Sequence, residues 1–107
     1  MGKQRELFRV SIVRKGTIRK GSASAPCAVT ELTSAGIGLT TDVPTASGDR
    51  IELAFDLTDR HRISCALLVT HAAMPRVGGC IAEISDEHRQ QLMRYIEDHA
   101  AISVAVC

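Results

Sequence analysis

The sequence predicts a mainly β protein, a small antiparallel barrel of six strands with one helix at its C-terminal end. Three observations support this fold class. Apolar residues recur at every second position along most of the chain, which is the period of a half-buried strand. Clusters of turn-forming residues divide these runs into short segments at regular spacing. After Ile84 the apolar spacing changes to that of an amphipathic helix, so a single helix follows the strands.

The first three predicted strands lie in the N-terminal part of the chain. Alternation from Val10 predicts a strand of about ten residues, broken at Gly16 and ended by a turn-forming cluster at residues 21–26. A second strand is predicted over residues 27–32 and a third over residues 37–41. The tight turn between them contains Gly36, and Gly38 follows in the third strand; both glycines allow backbone approaches that a side chain would block.

The fourth and fifth predicted strands have the clearest alternation. Asp59 and Arg60 supply the turn between them, and the fifth strand covers residues 62–71. Pro75 and the pair Gly78-Gly79 predict a last turn, before a sixth strand from Cys80 to Ile84. The side chains predicted to face the core from the fourth and fifth strands are Ile51, Leu53, Phe55, Leu57, Ile63, Cys65, Leu67 and Val69.

The helix is predicted over residues 86–98. Ser85 can cap its N-terminus, and Leu92 and Ile96 form an apolar stripe along it. The tail at residues 99–107 is apolar enough to require cover, either from the barrel or from a second copy of the chain in a homodimer.

Length and composition limit the classes of protein. The 107 residues suffice for one domain with a hydrophobic core, and the 45% hydrophobic content predicts a folded chain. Polar residues interrupt every apolar stretch, and the first residues lead into no apolar signal segment. We therefore expect no membrane insertion, no secretion signal and a cytoplasmic location.

The cysteines and histidines form none of the usual metal-binding spacings. Cys27, Cys65, Cys80 and Cys107 contain no C-x-x-C pair and are expected to be reduced, the first three packed as small hydrophobic side chains. No nucleophile stands beside a His/Asp constellation, and no glycine loop resembles a phosphate-transfer site. We therefore expect no enzyme activity, no metal and no cofactor.

Positive charge is concentrated at the N-terminus. The net charge is only +1, but seven of the 13 Lys and Arg residues lie in the first twenty positions, beside one acidic residue. The remaining chain carries 6 basic and 11 acidic residues. The basic segment either binds an anion or docks on its own domain. Charge patterning alone does not distinguish these roles from a solvated charged strand.

Two motifs carry the functional hypothesis. Arg5 and Arg9 form R-x-x-x-R, and a guanidinium binds phosphate oxygens bidentately and stacks on aromatic rings, so the pair suits a nucleotide. The later turn Glu31-Leu32-Thr33-Ser34-Ala35-Gly36 is close to D-x-S-x-x-G. In their order and strand context these motifs resemble the PilZ domain, a bacterial receptor module for the second messenger cyclic di-GMP. The likeness extends through the alternating strand at residues 51–57 to about residue 98.

The resemblance implies a PilZ-type barrel and a non-enzymatic receptor. It divides the chain into a flexible basic arm at residues 1–9, a barrel with its helix at residues 10–98, and the tail at residues 99–107. Cyclic di-GMP would order the arm against the barrel and change a surface that a partner protein reads. The number of ligand molecules stays open. The ligand-binding residues carried over from the motifs are Arg5, Arg9, Glu31, Thr33, Ser34 and Gly36.

Two departures from the family pattern leave alternatives open. Glu31 stands where Asp is usual, and its extra methylene moves the carboxylate by about one bond length. Thr33 stands in place of Ser and retains the hydroxyl. Turn chemistry alone would also explain these residues, in which case the chain is a degenerate member that binds a protein and not the dinucleotide. Nucleic acid binding is not expected, because only three aromatic residues are present.

Overall fold

The computed structural model describes residues 9–106, with side chains through residue 99, as a closed antiparallel barrel followed by one helix. The elements are β1 (Arg9–Lys20), β2 (Ala23–Thr33), β3 (Gly36–Thr41), β4 (Arg50–Asp56), β5 (Arg62–Ala73), β6 (Arg76–Ile84) and α1 (Asp86–Val106). Around the barrel the strand order is β1, β2, β3, β6, β5 and β4. The predicted fold class is therefore confirmed.

The interior of the barrel is filled by the side chains that the alternation predicted. All eight predicted core residues of β4, β5 and the turn between them are buried. Leu53 lies opposite Cys65 and Phe55 lies opposite Ile63, so the inward faces of β4 and β5 are in register. A fully buried aliphatic or aromatic side chain of this size contributes roughly 1.5–3 kcal/mol. Burial of these side chains therefore contributes to the stability of the barrel.

The last turn differs from the prediction. Met74 and Pro75 alone connect β5 to β6, and Gly78 and Gly79 lie inside β6 and do not bracket a turn. Packing explains the glycine at position 79, because a Cβ on Gly79 would lie 2.7 Å from the carbonyl oxygen of Leu68 on β5. Glycine at this position therefore permits close strand approach, which the sequence pattern does not distinguish from a turn.

β1 and β2 are longer than predicted. β1 passes through Gly16 without a break, and β2 begins at Ala23, so the turn between them is Gly21 and Ser22. Gly21 has a φ of 60°, a conformation that glycine adopts without strain. β2 pairs with β3 only from Cys27 onward, which leaves Pro26 with a strand neighbour on one side.

The helix α1 packs against β1 and β5. Its predicted cap is confirmed, because the Oγ of Ser85 accepts the backbone N–H of His88 at 3.2 Å. Leu92 and Ile96 are buried, as the stripe predicted. The helix continues to Val106, beyond the predicted end at residue 98, since residues 99–106 contain no glycine or proline that would end it. No helix within residues 9–106 is long and apolar enough to cross a membrane.

Candidate functional site

The two sequence motifs meet where β1 begins and β2 ends. Arg9 lies opposite Thr33, and Ser11 lies opposite Glu31. The side chains of Arg9 and Glu31 are in direct contact, with 3.0 Å between Nε and Oε2. Val10 and Leu32 point into the core between them, so Arg9, Glu31 and Thr33 share the outer face of the barrel. Residues 22 positions apart in sequence thereby form one polar surface, which we call the motif face.

The position of Glu31 depends on a glycine in the neighbouring strand. Gly38 lies directly opposite Glu31, and a Cβ on Gly38 would come within 3.3 Å of the Glu31 Cβ. The glycine thus leaves room for the longer side chain of Glu31 to lie across β3. Gly38 was not among the predicted site residues. Its signal in the sequence was its alternation with Gly36, which places both on the same face of β3.

The hydroxyl of Thr33 is used within the turn. Its Oγ1 accepts the backbone N–H of Gly36 at 2.9 Å and that of Ala35 at 3.3 Å. The same oxygen lies 3.2 Å from the Gly36 carbonyl, to which it can donate. Ser34 and Ala35 are exposed at the tip of the turn. Thr33 therefore fixes the turn, and Ser34 projects from it into solvent.

Gly36 allows β3 to approach β6. A Cβ on Gly36 would lie 2.6 Å from the carbonyl oxygen of Gly79, which is too close for any side chain. Its φ is not positive, so the conformational freedom of glycine is not the reason for its presence. Gly36 therefore sets the position of the motif face relative to β6.

The ion pair on the motif face is exposed enough to exchange partners. The side chains of Arg9 and Glu31 are 66% and 38% exposed, and pairs of this kind contribute roughly 0–1 kcal/mol in water. Replacement of Glu31 by an anion as the partner of Arg9 would therefore cost little free energy. Glu31 would then be left with its carboxylate available to accept hydrogen bonds from another part of the same ligand.

The other predicted site residue of the arm, Arg5, lies outside the described residues. So do the side chains of residues 100–107, on which the predicted homodimer depends. Within residues 9–106 no group of three His, Cys, Asp or Glu side chains is arranged to hold a metal ion. The motif face can supply a guanidinium, a carboxylate and turn backbone groups, which are the chemistry of anion and base-edge binding.

Comparison with known proteins identifies relatives by family and by fold. The model of the PilZ domain family matches residues 3–98. Among curated proteins, none matches the chain in sequence. The PilZ domain of YcgR from Escherichia coli, solved with cyclic di-GMP, is similar in fold with a TM-score of 0.73 and 14% identity; the match covers 94% of this chain and 95% of that one.

Two further solved structures have the same fold. The inhibitor of motility MotI/DgrA from Bacillus subtilis has a TM-score of 0.79 at 16% identity, over 94% of this chain and 53% of that one. The PlzA protein of Borreliella burgdorferi, in complex with cyclic di-GMP, has a TM-score of 0.66 at 16% identity, over 87% of this chain and 41% of that one. The chain therefore spans about half the length of MotI/DgrA.

Proposed function

The chain belongs to the PilZ domain family, and from that premise we propose that it is a receptor for cyclic di-GMP. The observation that carries the proposal is the 3.0 Å contact between Arg9 and Glu31, which joins the two motifs on one surface. Solved relatives that contain cyclic di-GMP, such as YcgR and PlzA, support the choice of ligand.

The proposed ligand matches the motif face group by group. Cyclic di-GMP carries two phosphodiester charges, which Arg9 and Arg5 would bind bidentately while their flat faces stack on guanine. Guanine presents adjacent N–H donors on one edge, and the Glu31 carboxylate is an acceptor for them. Ser34, exposed at the tip, adds a hydroxyl, and Thr33 and Gly36 hold the turn in position.

The output would be a change of surface. Arg9 already lies on the barrel as the first residue of β1. Binding would draw the segment ahead of it, from Lys3 to Phe8, onto the barrel next to the turn at residues 31–36, because the phosphates neutralise the repulsion between the basic residues of the arm. A partner protein would then recognise the surface formed by that segment. The ligand acts as a messenger in this scheme, and no catalytic step is required.

A second candidate function is a protein-interaction module that does not bind the dinucleotide. The hydrogen bonds of Thr33 favour it, because they show that this motif residue already has a complete role in the turn. A wild type that ignores cyclic di-GMP, but retains a protein partner that is lost when residues 1–9 are deleted, would support this alternative.

Isothermal titration calorimetry with cyclic di-GMP tests the proposal. Arg5→Ala and Arg9→Ala should each weaken binding about 10- to 150-fold, the effect of losing a charge-assisted hydrogen-bonded pair. Arg19→Ala is the matched control, because Arg19 lies on the same strand, is 62% exposed and pairs with Glu52 away from the motif face. Absence of heat with the wild type, or unchanged affinity in both arginine variants, would refute the proposal.

A further inference from the structure

Arg9 also lines a cavity between β1 and α1. Its volume is about 550 Å³, within the range of roughly 300–1,000 Å³ that is usual for small-molecule sites. Ser11 and Arg14 contribute from β1, and Tyr95 and His99 contribute from α1. The cavity is therefore continuous with the motif face through Arg9 but uses residues outside both sequence motifs.

The two aromatic side chains of this cavity are stacked and anchored. The ring centroids of Tyr95 and His99 are 3.8 Å apart, with 22° between the ring planes. The Nδ1 of His99 lies 2.8 Å from the carbonyl oxygen of Tyr95, which can accept a hydrogen bond from that nitrogen. The Tyr95 hydroxyl accepts a hydrogen bond from Arg14 Nη2 at 2.9 Å. Both rings are thus oriented before a ligand arrives.

Among the described residues, no carboxylate forms an ion pair with Arg14. Its Nε donates to the Leu57 carbonyl at 2.9 Å, its Nη1 to the Val13 carbonyl at 3.2 Å, and its Nη2 to the Tyr95 hydroxyl. All these acceptors are uncharged. The cavity therefore combines a fixed cation with a flat aromatic surface.

We propose that this cavity is a second base-binding subsite for cyclic di-GMP, in which a purine stacks on the Tyr95–His99 pair and its phosphate lies between Arg9 and Arg14. The proposal rests on the proposed receptor function. A cyclic dinucleotide has two purines, and the motif face offers an edge acceptor in Glu31 but no aromatic surface among its described residues. A preformed aromatic platform is the kind of surface on which a base stacks.

Tyr95 provides a direct spectroscopic probe of this subsite. It is the single tyrosine of the chain, and there is no tryptophan, so intrinsic ultraviolet emission reports on Tyr95 alone. Titration of the wild type with cyclic di-GMP should quench this emission in parallel with the calorimetric isotherm, because the purine stacks within contact of the ring. Free tyrosine amide in the same titration corrects for light absorbed by the guanine.

The matched substitutions are His99→Leu and Gln90→Leu. Both replace an exposed polar side chain of α1 with leucine, but Gln90 is not part of the cavity wall. His99→Leu should weaken binding roughly 5- to 150-fold, as expected for loss of one base–aromatic stack, while Gln90→Leu should bind like the wild type. Circular dichroism checks that both variants are folded.

The outcomes separate this proposal from the receptor proposal. Calorimetric binding without quenching of Tyr95, or equal affinity in His99→Leu and Gln90→Leu, would overturn the subsite and leave the receptor function standing. Such a result would mean that Arg14, Tyr95 and His99 only attach α1 to the barrel. No calorimetric heat with the wild type would overturn the receptor function and the subsite together.

Discussion

Gly36→Ala should destabilise the protein before any ligand is added, although Gly36 belongs to a ligand-binding motif. The added Cβ would lie 2.6 Å from the Gly79 carbonyl oxygen, whereas ordinary contacts begin at 3.4 Å. The obstacle is backbone, so β3 and β6 must separate by roughly 0.8 Å or the Cβ must be displaced sideways. Overpacking of this kind costs about 1–3 kcal/mol. For a domain of this size the Tm should fall by about 4–8 °C per kcal/mol.

Gly78→Ala is the control for this substitution. Gly78 lies on β6 opposite Gly38 of β3, in the same strand pair, and a Cβ there would meet no heavy atom within 4 Å. It should be neutral or stabilising by about 0.4–1 kcal/mol, because alanine restricts the unfolded chain.

The assay is thermal and urea denaturation of both variants without ligand, followed by circular dichroism. Equal Tm values for Gly36→Ala and Gly78→Ala would refute the strand-contact explanation. The glycine of the motif would then have to be explained by contact with the ligand. If the prediction is correct, a loss of cyclic di-GMP binding in Gly36→Ala is not a measure of direct ligand contact.

Three further predictions concern the site, the thiols and the response to acid. Glu31→Gln should weaken cyclic di-GMP binding at least about tenfold, because an amide replaces one acceptor oxygen with a donor facing the guanine edge; Glu52→Gln is the calorimetric control, and equal affinities would contradict this role. Burial raises the pKa of the Cys65 thiol to about 11, whereas the prediction that Cys80 packs in the core is wrong, because its side chain is exposed. Native labelling with a thiol reagent, mapped by mass spectrometry, should therefore modify Cys80 and spare Cys65 until the chain unfolds. A hydrogen bond from Lys20 holds the pKa of Asp49 below its ordinary value of 3.8. The carboxylate therefore stabilises the fold above that pH, and this stabilisation is lost as the pH falls through the lowered pKa. The Tm deficit of Asp49→Asn should therefore be largest at neutral pH and shrink in acid; a constant deficit would contradict it.

Much of the fold could be predicted because its cues are local. The alternation in β4 and β5 depends only on the period of a strand, and the burial of Phe55 and Ile63 follows from it. The cap at Ser85 is likewise a local signal. By contrast, the prediction of a turn at Gly79 is wrong. The Leu68 carbonyl that excludes a side chain there belongs to another strand, so the contact is not visible in the local sequence. A glycine looks the same in the sequence whether a turn or a close contact between strands requires it.

The site was only partly predictable for the same reason. Arg9, Glu31 and Thr33 were identified through motifs, but their contact depends on the register between β1 and β2. The β1–β2 register has an irregularity between Ser11 and Arg14, and the β2–β3 register has one between Val29 and Glu31; alternation reveals neither. The platform on α1 was missed altogether. Tyr95 belongs to no sequence motif, and its hydrogen bond with Arg14 forms only when the helix packs on the barrel.

The pairing of β1 has a consequence for how the barrel opens. β4 pairs with β1 only from Gly16 to Arg19, whereas β2 accompanies β1 from Arg9 onward. The segment at residues 9–15 therefore has a strand on one side only, and its amides should exchange with solvent through fraying at a lower free energy than those of residues 16–19. A ligand that holds Arg9 against the barrel therefore opposes the opening of residues 9–15. At a hundredfold excess over Kd it should raise the free energy of opening by about 2.7 kcal/mol, so hydrogen exchange in this half-strand would measure occupancy of the site.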